Sequence, residues 1–320
     1  MINECGCLFD SIDSFLFSNL SLVTHNSFSM LELTDLQTVK GLLTHYNLSA
    51  QKSLGQHFLI DAGALRAMLE AADLGKGDFV VEIGPGFGVL TFPVAERAGR
   101  ILAVETDKRL ISILKALGSG YPNIDLLPAN ILRLESKLIH ERYRQWSKVK
   151  TGRTHYKLVS NLPYYITSPI LKQFLETDYR PDLIVVMVQK EVAERIVAKP
   201  GQMSILAVSI QFFGQPELVR TVTKQSFWPK PEVDSAILKI TPYQKLPYDV
   251  DDIRFFFRMV KAGFGEKRKQ LHNSLGGGLH LEDTVVRNLL AGSGIDPKAR
   301  AQELSVERWV KLYHQLKTVL

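Results

Sequence analysis

From about residue 61 the apolar positions of the chain alternate between two periods. Residues 61–73 (DAGALRAMLEAAD) place apolar side chains at helical spacing and predict an amphipathic helix. Residues 78–83 (DFVVEI) form a short β-rich run that stops at Gly84-Pro85-Gly86-Phe87-Gly88. A helix is predicted near 90–98, then a second apolar run over 101–104 that ends at Glu105. Further strand candidates lie at 124–128, 156–160 and 183–188, with helical stretches between them. Continuous apolar strands separated by helices predict a parallel sheet covered on both faces, a doubly wound α/β domain. After Pro242 the pattern changes. Pro247 and the Asp249, Asp251, Asp252 group read as a linker, followed by helices at about 251–262, 267–275, 282–291 and 304–317. Gly276-Gly277-Gly278 and Gly292/Gly294 are the expected breaks.

Residues 1–29 fit neither part. A weak apolar stretch over 15–23 lacks the positive start and small-residue cleavage site of a signal peptide, and there is no Arg-rich transit pattern. The expectation is that translation begins at Met30 and that 1–29 is a disordered extension. The chain then divides into a sheet domain over 30–242 and a small all-helical domain over 243–320.

Composition narrows the class. The 320 residues are 45% hydrophobic and 22% charged, enough to bury a core, and no run reaches the 18 apolar residues of a membrane span. Cys5 and Cys7 are the only cysteines, which excludes a disulfide scaffold or a cysteine-built zinc site and points to the cytoplasm. The eight histidines show no ligand spacing, so no metal is expected. The net charge of +6 is unevenly spread: residues 1–39 hold no Lys or Arg and five acids, leaving 39 basic against 28 acidic side chains beyond them. Such a body suits a polyanion, nucleic acid above all, or is simply a basic soluble enzyme.

Two turns carry chemistry. Glycines directly after a first strand let backbone approach a ligand, and the helix beyond offers free N–H groups. Glu105, 21 residues after Gly84, stands where an acid would hold ribose hydroxyls. The loop reads G-x-G-x-G rather than G-x-G-x-x-G, which favours S-adenosylmethionine over a dinucleotide. The fourth strand ends in Asn161-Leu162-Pro163-Tyr164. An adenine amine is a poor nucleophile because its lone pair is delocalised into the ring. An Asn oxygen and a nearby backbone carbonyl, both accepting from its N–H groups, pull the nitrogen toward tetrahedral geometry and free that pair for in-line attack on a sulfonium methyl. Proline fixes the turn, and tyrosine offers a face on which an extruded base stacks. No strong base is needed, because the alkylated nitrogen sheds an acidic proton.

These residues resemble the ribosomal RNA adenine N6,N6-dimethyltransferases. The matching motifs are Lys52-Ser53-Leu54-Gly55-Gln56-His57-Phe58-Leu59, the Glu82 to Thr91 loop, Asn161 to Tyr164, Gln189 to Arg195, Ser226-Phe227-Trp228-Pro229-Lys230-Pro231-Glu232-Val233-Asp234-Ser235, and Phe264 to Leu271. The resemblance implies a Rossmann-like methyltransferase sheet. It implies S-adenosylmethionine contacts at His57, Leu59, Gly84, Glu105, Asn130 and Asn161, and a catalytic set of Asn161, Leu162, Tyr164 and Phe227, with Tyr164 and Phe227 flanking the flipped adenine. His57 stands where the family often has Asn, and Asn130 where it usually has Asp. The implied substrate is a pair of adjacent adenosines in a hairpin near the 3′ end of 16S rRNA, in an immature small subunit, and a monomer suffices. Rivals are the 23S rRNA enzyme of macrolide resistance and an assembly factor without activity. Residues 136–157, with seven Lys/Arg and interleaved Tyr143, Trp146 and Tyr156, and Lys267-Arg268-Lys269 read as phosphate contacts or as solvated faces.

Overall fold

The computed structural model describes residues 32–50, 56–149, 152–266 and 268–319. The expectations for residues 1–29 and Met30, for positions 52–55 of the first motif and for Lys150 and Lys267 lie outside the described residues. The chain runs α1 (Leu36–His45), β1 (Phe58–Leu59), α2 (Ala62–Ala72), β2 (Phe79–Ile83), α3 (Thr91–Arg97), β3 (Arg100–Glu105) and α4 (Lys108–Leu117). It continues through β4 (Ile124–Pro128), α5 (Ser136–Ser147), β5 (Lys157–Asn161), α6 (Thr167–Leu175), β6 (Leu183–Gln189), α7 (Lys190–Ile196) and α8 (Ile205–Phe213). Then come β7 (Gly214–Val222), β8 (Phe227–Trp228), β9 (Ser235–Pro242), α9 (Ile253–Phe264), α10 (Leu271–Leu279), α11 (Asp283–Gly292) and α12 (Val306–Lys317).

Seven strands form one sheet in the order β4-β3-β2-β5-β6-β9-β7. The first five are parallel, and β9 pairs antiparallel with both β6 and β7. The apolar strands are buried on two faces because alternate side chains serve different layers. In β6, Ile184, Val186 and Val188 join the layer holding α6 and α8, while Val185 and Met187 join the layer holding α2 and α3. The antiparallel edge departs from the all-parallel expectation. β1 and β8 form a separate two-stranded ribbon. No helix among the described residues is long and apolar enough to cross a membrane.

The terminal helices dock on α8 through Phe212, whose ring stacks on Phe256 at 4.7 Å, and through Phe213 on Phe257. The glycine triplet does not break the helix as expected. α10 passes through Gly276-Gly277-Gly278 and ends at Leu279, capped by His280, which turns left-handed at φ 58°. A Cβ on Gly278 would lie 2.6 Å from the Ala262 Cβ, so that glycine lets α10 approach α9. Gly263 does the same for α12: a Cβ there would stand 2.4 Å from the Trp309 ring, which is fully buried. Gly263→Ala is expected to destabilise the protein by about 1–3 kcal/mol through overpacking, read as a lower denaturant midpoint at unchanged m-value.

Candidate active site

In the sheet, β2 continues outward to β3 and β4 on one side, and the chain returns to β5 on the other. A ligand crevice opens outside the carboxyl ends of the strands where the order reverses this way. The two strands pair only at Val80–Lys157 and Val81–Leu158 and separate beyond. Ser160 bridges the gap: its hydroxyl donates to Ile83 O at 2.7 Å and accepts from Ile83 N–H at 3.3 Å. A cavity of about 370 Å³ lies there, lined by residues following β2, β3, β4 and β5 and by the segment around β1.

Gly84 and Gly86 turn the chain at φ +67° and +60°, conformations that side-chain-bearing residues rarely adopt. A Cβ on Gly84 would come 3.8 Å from the Pro163 ring, so the glycine turn faces the Asn161–Tyr164 turn. Glu105 is 8% exposed, and its Oε1 accepts the N–H groups of Thr106 at 2.6 Å and Asp107 at 2.9 Å. Burial raises its pKa, and those N–H groups oppose the rise. Asn130 opens a short turn, its Oδ1 accepting the Leu132 N–H at 3.0 Å.

The sequence pattern did not single out Glu82. It sits at the end of an otherwise apolar strand, lines the cavity and is 2% exposed, and its Oε2 has no hydrogen-bond partner among the described residues. Burial pushes its carboxyl up to about 8, with the Thr91 hydroxyl opposing and the Glu105 charge adding. An orphaned buried acid beneath a glycine turn fits a cationic ligand that bears a nucleoside, whose ribose Glu105 could hold.

Eight of the nine expected site residues line this one cavity: His57, Leu59, Gly84, Glu105, Asn130, Asn161, Leu162 and Tyr164. The hydroxyls of Tyr164 and Ser235 are 2.6 Å apart, and burial raises the Tyr164 pKa, keeping it a neutral phenol. His57 Nδ1 donates to Pro229 O at 2.6 Å, which fixes the tautomer, since a carbonyl only accepts. The structure does not bring Phe227 with them. Its ring is 2% exposed, stands opposite Leu59 in the β1–β8 ribbon and packs with Leu65, Met187 and Ile237. The ring stacked near Tyr164 is His57, at 5.9 Å and 23°. The late motif thus reaches the cavity walls through Pro229 and Ser235.

The basic stretch over 136–157 is also placed differently. Tyr143 and Tyr156 are buried, and Tyr143 and Trp146 pack on Phe79 at the start of β2. Arg153 pairs with Asp182 and Lys157 with Asp78, at the amino ends of the strands. The cavity lies at the opposite ends, about 17 Å away along a five-residue strand. The aromatics are therefore core, and the nearby charges are largely answered by acids.

Comparison with known proteins agrees with this geometry. The family described as ribosomal RNA adenine dimethylase matches residues 47–318. A "Ribosomal RNA small subunit methyltransferase A" of Dehalococcoides mccartyi (strain BAV1) is 47% identical over 274 residues, covering 85% of this chain and 90% of that one. The protein of that name from Clostridioides difficile is 38% identical over 288 residues, covering 89% and 97%. Among solved structures, the 23S rRNA methyltransferase ErmE superposes with a TM-score of 0.64 at 27% identity, covering 81% of this chain and 99% of its own. A dimethyladenosine transferase from Plasmodium falciparum gives 0.64 at 24%, covering 81% and 97%, and supports the fold. With the crevice, its acids and the Asn-Leu-Pro-Tyr turn in place, the chain belongs to the ribosomal RNA adenine dimethylase family and is an rRNA adenine dimethyltransferase.

Proposed function

We propose that this enzyme dimethylates N6 of two adjacent adenosines in a hairpin near the 3′ end of 16S rRNA. S-adenosylmethionine is the methyl donor, and the substrate is an immature small subunit in the cytoplasm. The observation that carries the reading is the meeting, in one cavity, of Glu82 and Glu105 with Asn161-Leu162-Pro163-Tyr164. The small-subunit assignment draws on the names of relatives matched over 90% or more of their length.

The cofactor, when bound, supplies an electrophilic methyl group on a sulfonium. Glu105 holds the ribose hydroxyls, and Glu82 balances positive charge at the cavity floor. Asn161 Oδ1 and a backbone carbonyl of the same turn accept from the target amine, while Tyr164 stacks on the base. Residues 30–242 form the catalytic unit and 243–320 contribute RNA contacts, with exposed Arg268 and Lys269 just ahead of α10 meeting phosphate. A monomer is sufficient for this assignment.

The test is methyl transfer from labelled S-adenosylmethionine to immature 30S subunits lacking the modification, followed by digestion and nucleoside mass analysis. N6,N6-dimethyladenosine near the 3′ end of 16S supports the reading. Labelling of 23S rRNA instead would assign the enzyme to the reaction named for ErmE, and binding without transfer would leave an assembly factor. One residue tunes the cofactor side. Asn130 Oδ1 already caps a turn, so a donor adenine amine must share that oxygen. Asn130→Asp adds a second acceptor oxygen and is expected to tighten cofactor binding by about three- to tenfold, measured by calorimetry.

A further inference from the structure

We infer that Tyr165 is the stacking platform for the base next to the target adenosine, a specificity contact at the mouth of the active site. The inference builds on the rRNA adenine dimethyltransferase activity but not on which ribosomal RNA is the substrate. Tyr164 and Tyr165 are neighbours in one short turn, Tyr164–Ile166, and both line the cavity. Their environments differ sharply. Tyr164 is largely buried, with its hydroxyl beside Ser235, whereas Tyr165 is 64% exposed. Among the described residues no large apolar side chain is more exposed.

A second apolar side chain stands at the same mouth from a different loop. Leu132, 40% exposed, lies within the short turn that Asn130 opens after β4, whereas Tyr165 follows β5. Leu132 lines both the catalytic cavity and the adjoining shallow groove that runs by Lys137 and Lys172 toward Tyr179. An exposed aromatic ring and an exposed leucine lining one cavity make a surface that water serves badly and a flat heterocycle serves well.

The occupant follows from the reaction. The target base must leave its stack to reach Asn161, and its covalently attached neighbour is drawn to the cavity mouth with its own stacking partner lost. A ring at that mouth replaces the lost stack, and any base can use it because every base has a π-face. The two tyrosines therefore serve different bases. Tyr164, held near Ser235, meets the base being methylated, and Tyr165 meets the one beside it.

The test uses the full-length enzyme and whichever ribosomal RNA the wild-type protein methylates, so a failure of the 16S assignment leaves it decidable. Tyr165→Ala is expected to raise the KM for RNA by about tenfold while the KM for S-adenosylmethionine stays within about twofold. Tyr165→Phe should keep the wild-type KM for RNA, because the ring face carries the contact. In parallel, 2-aminopurine placed next to the target nucleotide should be quenched on binding by the wild-type and Phe proteins and not by the Ala protein. An unchanged KM for RNA in the Ala variant, a loss shared by the Phe variant, or a shift confined to the cofactor KM would each overturn the assignment.

Discussion

Asn161→Ala is expected to lower methyl transfer by on the order of a thousandfold while leaving RNA affinity within about twofold of wild type. The residue ends β5, where it pairs in register with Met187, and the preceding Ser160 is locked to Ile83. Its side chain is thus carried by the rigid sheet, and proline follows two residues later. The reaction makes an amide-like aromatic nitrogen pyramidal, and an acceptor aligned with its N–H bonds stabilises the transition state more than the planar ground state. Alanine removes that acceptor without disturbing the ladder. Affinity for a polyanion comes instead from phosphate contacts spread over the surface and from stacking at the mouth. Filter binding and single-turnover transfer on the same preparation check both halves. Equal losses in both would mean that Asn161 organises the RNA site rather than activating the amine.

Much of the catalytic half was legible because burial on both faces leaves a strong trace. The runs that became β2, β3 and β6 are nearly unbroken apolar segments, and a parallel strand can be little else. The antiparallel edge was silent for the opposite reason. β7 alternates exposed and part-buried residues, and β9 follows a Pro-rich loop that hides its start. Phe227 belonged to a recognisable motif, but motif membership does not say which way a ring faces, and in a two-residue strand it faced the core. The basic stretch carries a sign of its own burial. Ile139, Tyr143 and Trp146 recur at helical spacing, the mark of a buried stripe, and they pack against the core beneath charges that only looked interleaved with them. Gly263 and Gly278 were unreadable, since their reason lies on other helices. Glu82 left the plainest unused signal: an acid inside an apolar parallel strand is buried with it, and a ligand or a proton must answer its charge.

That proton makes the second large effect a pH dependence. The Glu82 carboxyl is pushed up to about 8 by burial, far above its ordinary value of 4.5. A folded-state pKa raised this way favours the protonated native state. The contribution is complete below about pH 4.5 and is lost as pH rises through about 8. Ligand-free enzyme should therefore lose stability across that window, and a cation placed against Glu82 should reverse the loss by drawing the proton off. The affinity for S-adenosylmethionine is expected to rise between about pH 5.5 and 7.5, approaching tenfold per unit, over a range in which the ligand's own amino group keeps most of its charge. Glu82→Gln keeps the shape and removes the ionisation. It should flatten that slope and weaken binding by roughly 10- to 100-fold at about pH 7.5. The ligand-free variant should also be more stable by about 1–3 kcal/mol at that pH, since the wild-type carboxyl, ionised in the unfolded chain, must take up a proton to fold and the amide need not. Calorimetry in buffers of different ionisation enthalpy reads the proton directly, with close to one released on binding to wild type near neutral pH and none to the variant. A variant that bound with the same affinity and slope would reduce Glu82 to a buried acid without a partner. A variant that lost affinity and stability together would make it a structural residue of the glycine turn.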